Sequence, residues 1–131
     1  MDAITDPDVH TVVLMMGSQT SKTTILGCAL GYYIHQDPAP IMMVQPTIAA
    51  AQAYSKDRLE PMIRDTPALR ERINIDSKRD GKNTIEHKMF PGGSVTLSGA
   101  NSPTSLARSS IRILFLDEID RFPASAGKEG N

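Results

Sequence analysis

Two apolar runs stand out along the chain, and each one ends in residues that carry chemistry. Residues 11–16, TVVLMM, are followed by a small polar stretch and then by Lys22. Residues 111–116, IRILFL, end in Asp117 and Glu118. Runs of this length predict strands buried on both faces of a parallel sheet. Because the carboxyl ends of such strands meet at one edge, we expect the lysine and the two carboxylates to lie near each other there.

The segments between the two runs predict alternating helices and strands. Apolar residues spaced at i, i+4 and i+8 predict a helix over residues 22–35, which the following Asp-Pro pair ends. The short run IMMV at residues 41–44 predicts a second inner strand, with its methionines as core filler. Residues 48–64 predict a further helix, with Thr47 as its N-cap and Pro61 kinking or ending it.

Smaller elements follow in the later part of the chain. A short helix is predicted near residues 68–72. Strands at residues 84–90 and 94–98 flank a Pro-Gly-Gly sequence that is typical of a hairpin turn. Residues 105–108 predict one helical turn before the second apolar run. This alternation predicts an α/β fold with a mainly parallel sheet.

Composition narrows the class of protein. The 14 basic and 15 acidic side chains nearly balance, so no overall positive field indicates nucleic acid. Cys28 lies in a predicted helix among apolar neighbours, which favours a buried structural thiol in a reducing compartment. No stretch approaches the roughly 20 apolar residues of a membrane span, and the first ten residues are unlike a signal peptide. We therefore expect a cytosolic protein whose 131 residues form part of one larger domain.

The stretch that follows the first run has the composition of a phosphate-binding loop. In the pattern G-x-x-x-x-G-K-S/T, Ser21 takes the place of the second glycine and Met16 that of the first, with Gly17 one position later. Backbone N–H groups at a helix N-terminus would hold phosphates, Lys22 would contact the outer ones, and the hydroxyl of Thr23 would ligate magnesium. On spacing alone, the alternative to a phosphate-binding loop is an ordinary strand, loop and helix with an exposed lysine.

The acidic pair at the end of the second run fits the same chemistry. Asp117 would hold magnesium through its water shell, and Glu118 would orient and deprotonate a water that attacks the γ-phosphate. The alternative is a buried strand whose two acids reach solvent or cap the next helix. The phosphate-loop pattern upstream favours the catalytic interpretation.

Three blocks of the sequence resemble the large terminase subunit of tailed bacteriophages, of the lambda-type family. They begin at GSQTSKTT, GYYIHQDPAPIMMVQPT and FPGGSVTLSGANSPTSLARSSIRILFLDEIDRFP, and they cover about residues 12–123 in the same order. The resemblance implies part of a RecA-like P-loop ATPase domain, a three-layer sandwich that is incomplete here. Walker A would fall at about 16–23 and Walker B at about 112–118, with a nuclease domain beyond this chain.

The resemblance also implies roles for individual residues. Lys22 would contact the β- and γ-phosphates, Thr23 and Asp117 would hold Mg²⁺, and Glu118 would be the catalytic base. The implied nucleotide-binding residues are Gly17, Ser18, Gln19, Thr20, Ser21, Lys22, Thr23 and Thr24.

Two positions depart from the family's pattern. Ser21 replaces the usual glycine, and Ser18 stands where some members carry an arginine proposed to stabilise the transition state. Arg108 is therefore our candidate for that cation, because some terminases offer an arginine from this region to the next subunit of the ring. A solvated loop arginine is the alternative reading of Arg108.

A motor that packages viral DNA is the function the resemblance implies. It implies ATP and Mg²⁺ as cofactors, and double-stranded DNA, the small terminase subunit, the portal protein and further copies of this chain in a ring as partners. It places the protein in the host cytoplasm, without a membrane.

Two other functions stay open. Gln45, Pro46 and Thr47 resemble a backbone-contacting motif of superfamily 2 helicases, which would indicate a DNA-remodelling ATPase; a strand-to-helix turn with a capping threonine is the simpler interpretation. Ser21 favours a non-catalytic nucleotide-binding or assembly fragment.

Overall fold

A four-stranded sheet organises the computed structural model, which describes residues 2–16, 22–73, 84–102 and 110–124. The strands are β1 (Pro40–Gln45), β2 (His87–Phe90), β3 (Gly93–Gly99) and β4 (Ile113–Leu116). They lie in the order β2-β3-β1-β4, with β1 parallel to both β3 and β4 and with β2 antiparallel to β3. The predicted α/β class with a mainly parallel sheet is therefore confirmed.

Helices precede and connect the strands. They are α1 (Asp2–Thr5), α2 (Lys22–His35), α3 (Ile48–Tyr54), a π-helical turn (Ser55–Leu59), α4 (Glu60–Asp65), α5 (Pro67–Arg70) and a 3₁₀ turn (Ile119–Arg121). None of the helices in the described ranges is long and apolar enough to cross a membrane.

The predicted helix at residues 48–64 is present, but Pro61 does not end it. The chain stays helical through α3, the π-helical turn and α4, and the N–H of Glu60 donates to the carbonyl of Ser55, five residues back. Proline has no N–H to donate, and the wider π-helical turn directly before it lets the helical run continue past this position. The local change at this point is therefore a π-helical turn, a feature frequent at functional sites.

The main hydrophobic cluster lies on one face of the sheet. Met43 of β1 pairs with Leu97 of β3 and Phe115 of β4, and all three pack with Leu30 and Ile34 of α2 in one buried cluster. Burial of each large apolar side chain contributes roughly 1.5–3 kcal/mol relative to exposure. Met43 is completely buried in this cluster and Met42 is completely buried on the opposite face of β1, which confirms both as core residues.

The strand predicted at residues 11–16 is wrong. These residues form no strand, and Val13 and Met15 are 76% and 94% exposed. A strand needs a neighbour to pair its N–H and C=O groups, and residues 11–16 pair with none of the four strands of the sheet. Without such a neighbour their apolar sequence does not form a strand.

The strand predicted at residues 111–116 is present as β4, but it is not buried on both faces. Ile113 and Phe115 face the core, whereas Leu114 and Leu116 on the opposite face are 55% and 44% exposed. In the described ranges β4 is the outer strand next to β1, with no strand on its other side. An outer position therefore explains why its apolar run is only half buried.

Cys28 is exposed, so the expected buried thiol is also wrong. Ala29, Leu30 and Ile34 supply the buried face of α2, and Cys28 lies beside that face. Two other predictions are confirmed: α5 overlaps the predicted short helix, and β2 and β3 form the predicted hairpin. Gly92 has φ +86° in the hairpin turn, a conformation that glycine adopts without strain.

Lys88 of β2 is 2% exposed, although the sequence gives no sign of a buried charge there. Its Nζ lies 2.8 Å from Glu60 Oε1 and also donates to the carbonyl of Thr84. A buried ammonium group is tolerated only when it is paired in this way. The ion pair joins the hairpin to α4.

Candidate functional site

The carboxyl ends of β1 and β4 bring two buried polar side chains together. Asp117 follows β4 directly and is 7% exposed, and Gln45 is the last residue of β1 and is 4% exposed. The Nε2 of Gln45 donates to Asp117 Oδ2 over 3.1 Å, and the N–H of Asp117 donates to the carbonyl of Val44 over 3.1 Å. The side chain and the backbone of Asp117 are therefore both held by the neighbouring strand.

Glu118 lies next to this carboxylate in a different environment. It has φ 53° and ψ 48°, and it is the one non-glycine residue with positive φ in the described part of the chain. Its side chain is 44% exposed and lies 3.7 Å from the guanidinium of Arg121. A left-handed conformation is uncommon outside glycine, and such residues cluster at functional sites. The backbone thus gives two adjacent acids separate positions, one buried and one open to solvent.

A cavity of about 180 Å³ lies between α2 and the helical run from α3 to α4. Thr23 and Thr24 line its α2 side, and Tyr54 and Arg58 line the opposite side. Burial, followed by the negative charge of Asp117, raises the pKa of Tyr54 to about 12, while the charge of Arg58 acts in the opposite direction. Tyr54 therefore links the cavity to the edge that carries Asp117.

The described residues of the predicted phosphate loop lie at the start of α2. Lys22, Thr23 and Thr24 form its first turn, where the backbone N–H groups have no partner within the helix. This is where a helix attracts anions. Six predicted site residues lie outside the described ranges, namely Gly17, Ser18, Gln19, Thr20, Ser21 and Arg108.

The described side chains suit magnesium in their chemistry. Asp117 offers a carboxylate oxygen and Thr23 a hydroxyl, the hard oxygen donors that Mg²⁺ prefers. In the described ranges no three His, Cys, Asp or Glu side chains are grouped to hold a metal ion by themselves. Mg²⁺ usually binds through one or two protein ligands together with water and substrate phosphates, so this sparse donor set fits it.

The turn after β1 is held by Thr47. Its hydroxyl accepts a hydrogen bond from Ala50 N over 3.1 Å, which confirms the predicted N-cap of α3. Such a cap stabilises a helix by about 0.5–2 kcal/mol. Gly99, at the end of β3, approaches so closely that a Cβ there would lie 2.3 Å from Ile48 N. The structure thus shows a capped helix start at this turn.

Sequence reasoning missed three residues of the site. The sequence places Gln45 only in a helicase-like motif and indicates no role for Tyr54 or Arg58. For Gln45 the sequence shows only a place at the end of a predicted strand; that this strand lies beside the strand before Asp117 is known from the sheet order. The contacts of Tyr54 and Arg58 depend on how α2 packs against α3, which helix periodicity alone does not specify.

The geometry defines an α/β protein with an acidic pair beyond the carboxyl ends of parallel strands. A family model for the ATPase domain of the phage terminase large subunit gpA matches residues 1–131. The chain therefore belongs to this family, as its sequence blocks predicted.

One curated relative is the large terminase subunit of Enterobacteria phage P21. It is 27% identical over 124 residues, which is 94% of this chain and 19% of the relative. The chain thus spans about a fifth of the length of that protein. No solved structure gives a significant match.

Proposed function

We propose that this chain is part of the ATPase motor of a phage large terminase subunit, which hydrolyses ATP to package double-stranded DNA into the procapsid. The observation that carries the proposal is Asp117, a buried carboxylate held at the sheet edge in a chain of the terminase ATPase family. Part of a RecA-like P-loop domain, with Walker A at about 16–23 and Walker B at about 112–118, is the fold we propose.

Each residue of the site has a distinct task in this proposal. Residues 17–24 hold the phosphates through backbone N–H groups, and Lys22 adds a positive charge at the outer phosphates. Thr23 and Asp117 hold Mg²⁺, which when bound offsets the negative charge of the phosphates. Glu118 orients the attacking water and accepts its proton, and its side chain, 44% exposed beside Arg121, is accessible from solvent.

The most direct test is nucleotide binding. A fluorescent ATP analogue with magnesium is titrated against the full-length protein and its Lys22→Ala variant, with Lys56→Ala as a control for an exposed lysine on another helix. We expect the Lys22 variant alone to lose binding, because it loses the charge at the phosphates. Binding that is equal in all three proteins would contradict the phosphate-loop assignment.

Arg108 is our proposed source of the transition-state cation, supplied to a neighbouring copy in the ring. Arg108→Ala should lower the assembly-stimulated hydrolysis rate by about 10³–10⁵-fold while nucleotide binding stays intact. Hydrolysis is measured with and without the procapsid and DNA. Stimulated turnover equal to that of the wild type would rule Arg108 out.

The partners follow from the same proposal. They are double-stranded DNA, the small terminase subunit, the portal protein of the procapsid and further copies of the chain, in the host cytoplasm.

A further inference from the structure

We propose that Gln45 is a positioning residue: its amide fixes the orientation of the Asp117 carboxylate, which would hold Mg²⁺. This inference deepens the proposed function and rests on it. Gln45 contacts Asp117 directly, because its Nε2 donates a hydrogen bond of 3.1 Å to Asp117 Oδ2.

Only one direction of this hydrogen bond is chemically possible. An ionised carboxylate accepts and cannot donate, so the amide nitrogen of Gln45 must face it. Hydrogen bonds to an ionised acceptor are stronger than those between neutral groups. Because both side chains are more than nine-tenths buried, water competes little for this bond.

The backbone around Gln45 makes it a rigid support. The carbonyl of Gln45 accepts from Ala100 N over 2.8 Å, so its own strand end is tied to the loop that follows β3. Asp117 is tied to β1 by its N–H as well as by its side chain. Asp117 is thus fixed to β1 at two points, once through its carboxylate and once through its backbone N–H.

Tyr54 does not provide an equivalent support. No hydrogen bond joins it to Asp117 in the described part of the chain; the negative charge of Asp117 only raises the pKa of the Tyr54 phenol, after the larger effect of burial. An amide from Gln45 therefore is the specific orienting contact. Groups that orient metal ligands in this way typically contribute about 10–100-fold to metal affinity or activity.

The matched experiment compares two glutamines that each donate to a carboxylate. Gln45→Met keeps the length and bulk of the side chain but removes the donor. Gln52→Met does the same at an exposed position, where Gln52 Nε2 donates to Glu86 Oε1 over 2.8 Å. Mn²⁺ affinity is measured by electron paramagnetic resonance on the full-length protein with a non-hydrolysable ATP analogue, and Asp117→Ala gives the full loss.

We expect Gln45→Met to weaken Mn²⁺ affinity by about 10–100-fold, and Gln52→Met to leave it unchanged. Affinity for the analogue without metal should be equal in both variants, which separates metal positioning from damage to the fold. If Gln45→Met does not fold, Gln45→Asn, whose amide is too short to reach Oδ2, should show the same loss of Mn²⁺ affinity.

Wild-type Mn²⁺ affinity in a folded Gln45 variant would overturn the inference and leave the proposed function standing. A wild-type protein that binds no nucleotide would instead contradict the proposed function. Equal losses of Mn²⁺ affinity in Gln45→Met and Gln52→Met would also overturn the inference about Gln45. The loss would then be a general effect of removing a glutamine amide.

Discussion

Residues 11–16 and β4 are similar apolar runs with different outcomes. Both precede residues of the proposed site, yet β4 pairs with β1 over four residues and the earlier run pairs with no strand. Phe115 of β4 is 8% exposed and Met15 of the earlier run is 94% exposed. Hydropathy alone would rank these two runs alike.

The difference teaches that a strand is a property of its neighbours. An apolar run becomes a strand only where an adjacent strand offers N–H and C=O groups and a covered face. Pairing of β4 with β1 places Asp117 beside Gln45, where the two side chains form a hydrogen bond. The position of Asp117 in the site thus depends on the pairing of β4 with β1.

The largest test of the comparison lies just beyond β4. Glu118→Gln should lower ATP hydrolysis by the full-length protein by about 10²–10⁴-fold, because the amide cannot accept the proton of the attacking water. Nucleotide binding should be unchanged. Asp120→Asn is the matched control, an exposed acid two residues further on. Equal losses of the hydrolysis rate in the two variants would contradict the assignment of Glu118 as the catalytic base.

A second test compares one methionine from each of the two regions. Met43→Ala, in β1 beside β4, should lower the free energy of unfolding by about 2–5 kcal/mol because it leaves a cavity in the core. Met15→Ala should change it by less than about 0.5 kcal/mol, as exposed substitutions usually do. Urea denaturation measures both. A large loss from Met15→Ala would show that residues 11–16 are buried in the protein, and the comparison would fail.

The smallest test uses the titration of Tyr54 beside Asp117. An unfolded tyrosine ionises near pH 10 and Tyr54 near pH 12, so the unfolded state loses its proton first and stability falls as pH rises between these values. Tyr54→Phe should remove up to about 3 kcal/mol of that fall. The free energy of unfolding of both proteins is measured from denaturation curves between about pH 9 and 12, in steps of about one pH unit. Parallel pH profiles for the two proteins would contradict a buried Tyr54 near the carboxylate.

Local sequence signals predicted much of the fold. The period of α2, the alternation and turn of the β2–β3 hairpin, and the capping residue Thr47 were all recognisable, because each depends on neighbours within a few residues. The π-helical turn was not, because it depends on how the helical run accommodates Pro61. Nor was the burial of Lys88, whose partner Glu60 lies 28 residues away.

The candidate site divides in the same way. Asp117 and Glu118 were recognisable as an acidic pair after an apolar run, and Lys22 and Thr23 as the start of a helix after a small-residue loop. Their roles stay predictions. The contact from Gln45 to Asp117 spans 72 residues of sequence, and no local pattern indicates it.

The amino-acid sequence by itself determined the family, the alternation of helices and strands, and the residue types at the ends of the strands, since these are written in motifs and short-range periodicity. Only the tertiary structure decided which apolar run forms a strand, which face of β4 is covered, and which side chain holds Asp117. The physical reason is that strand pairing and burial depend on partners distant in sequence, and those partners are known only once the sheet order is known.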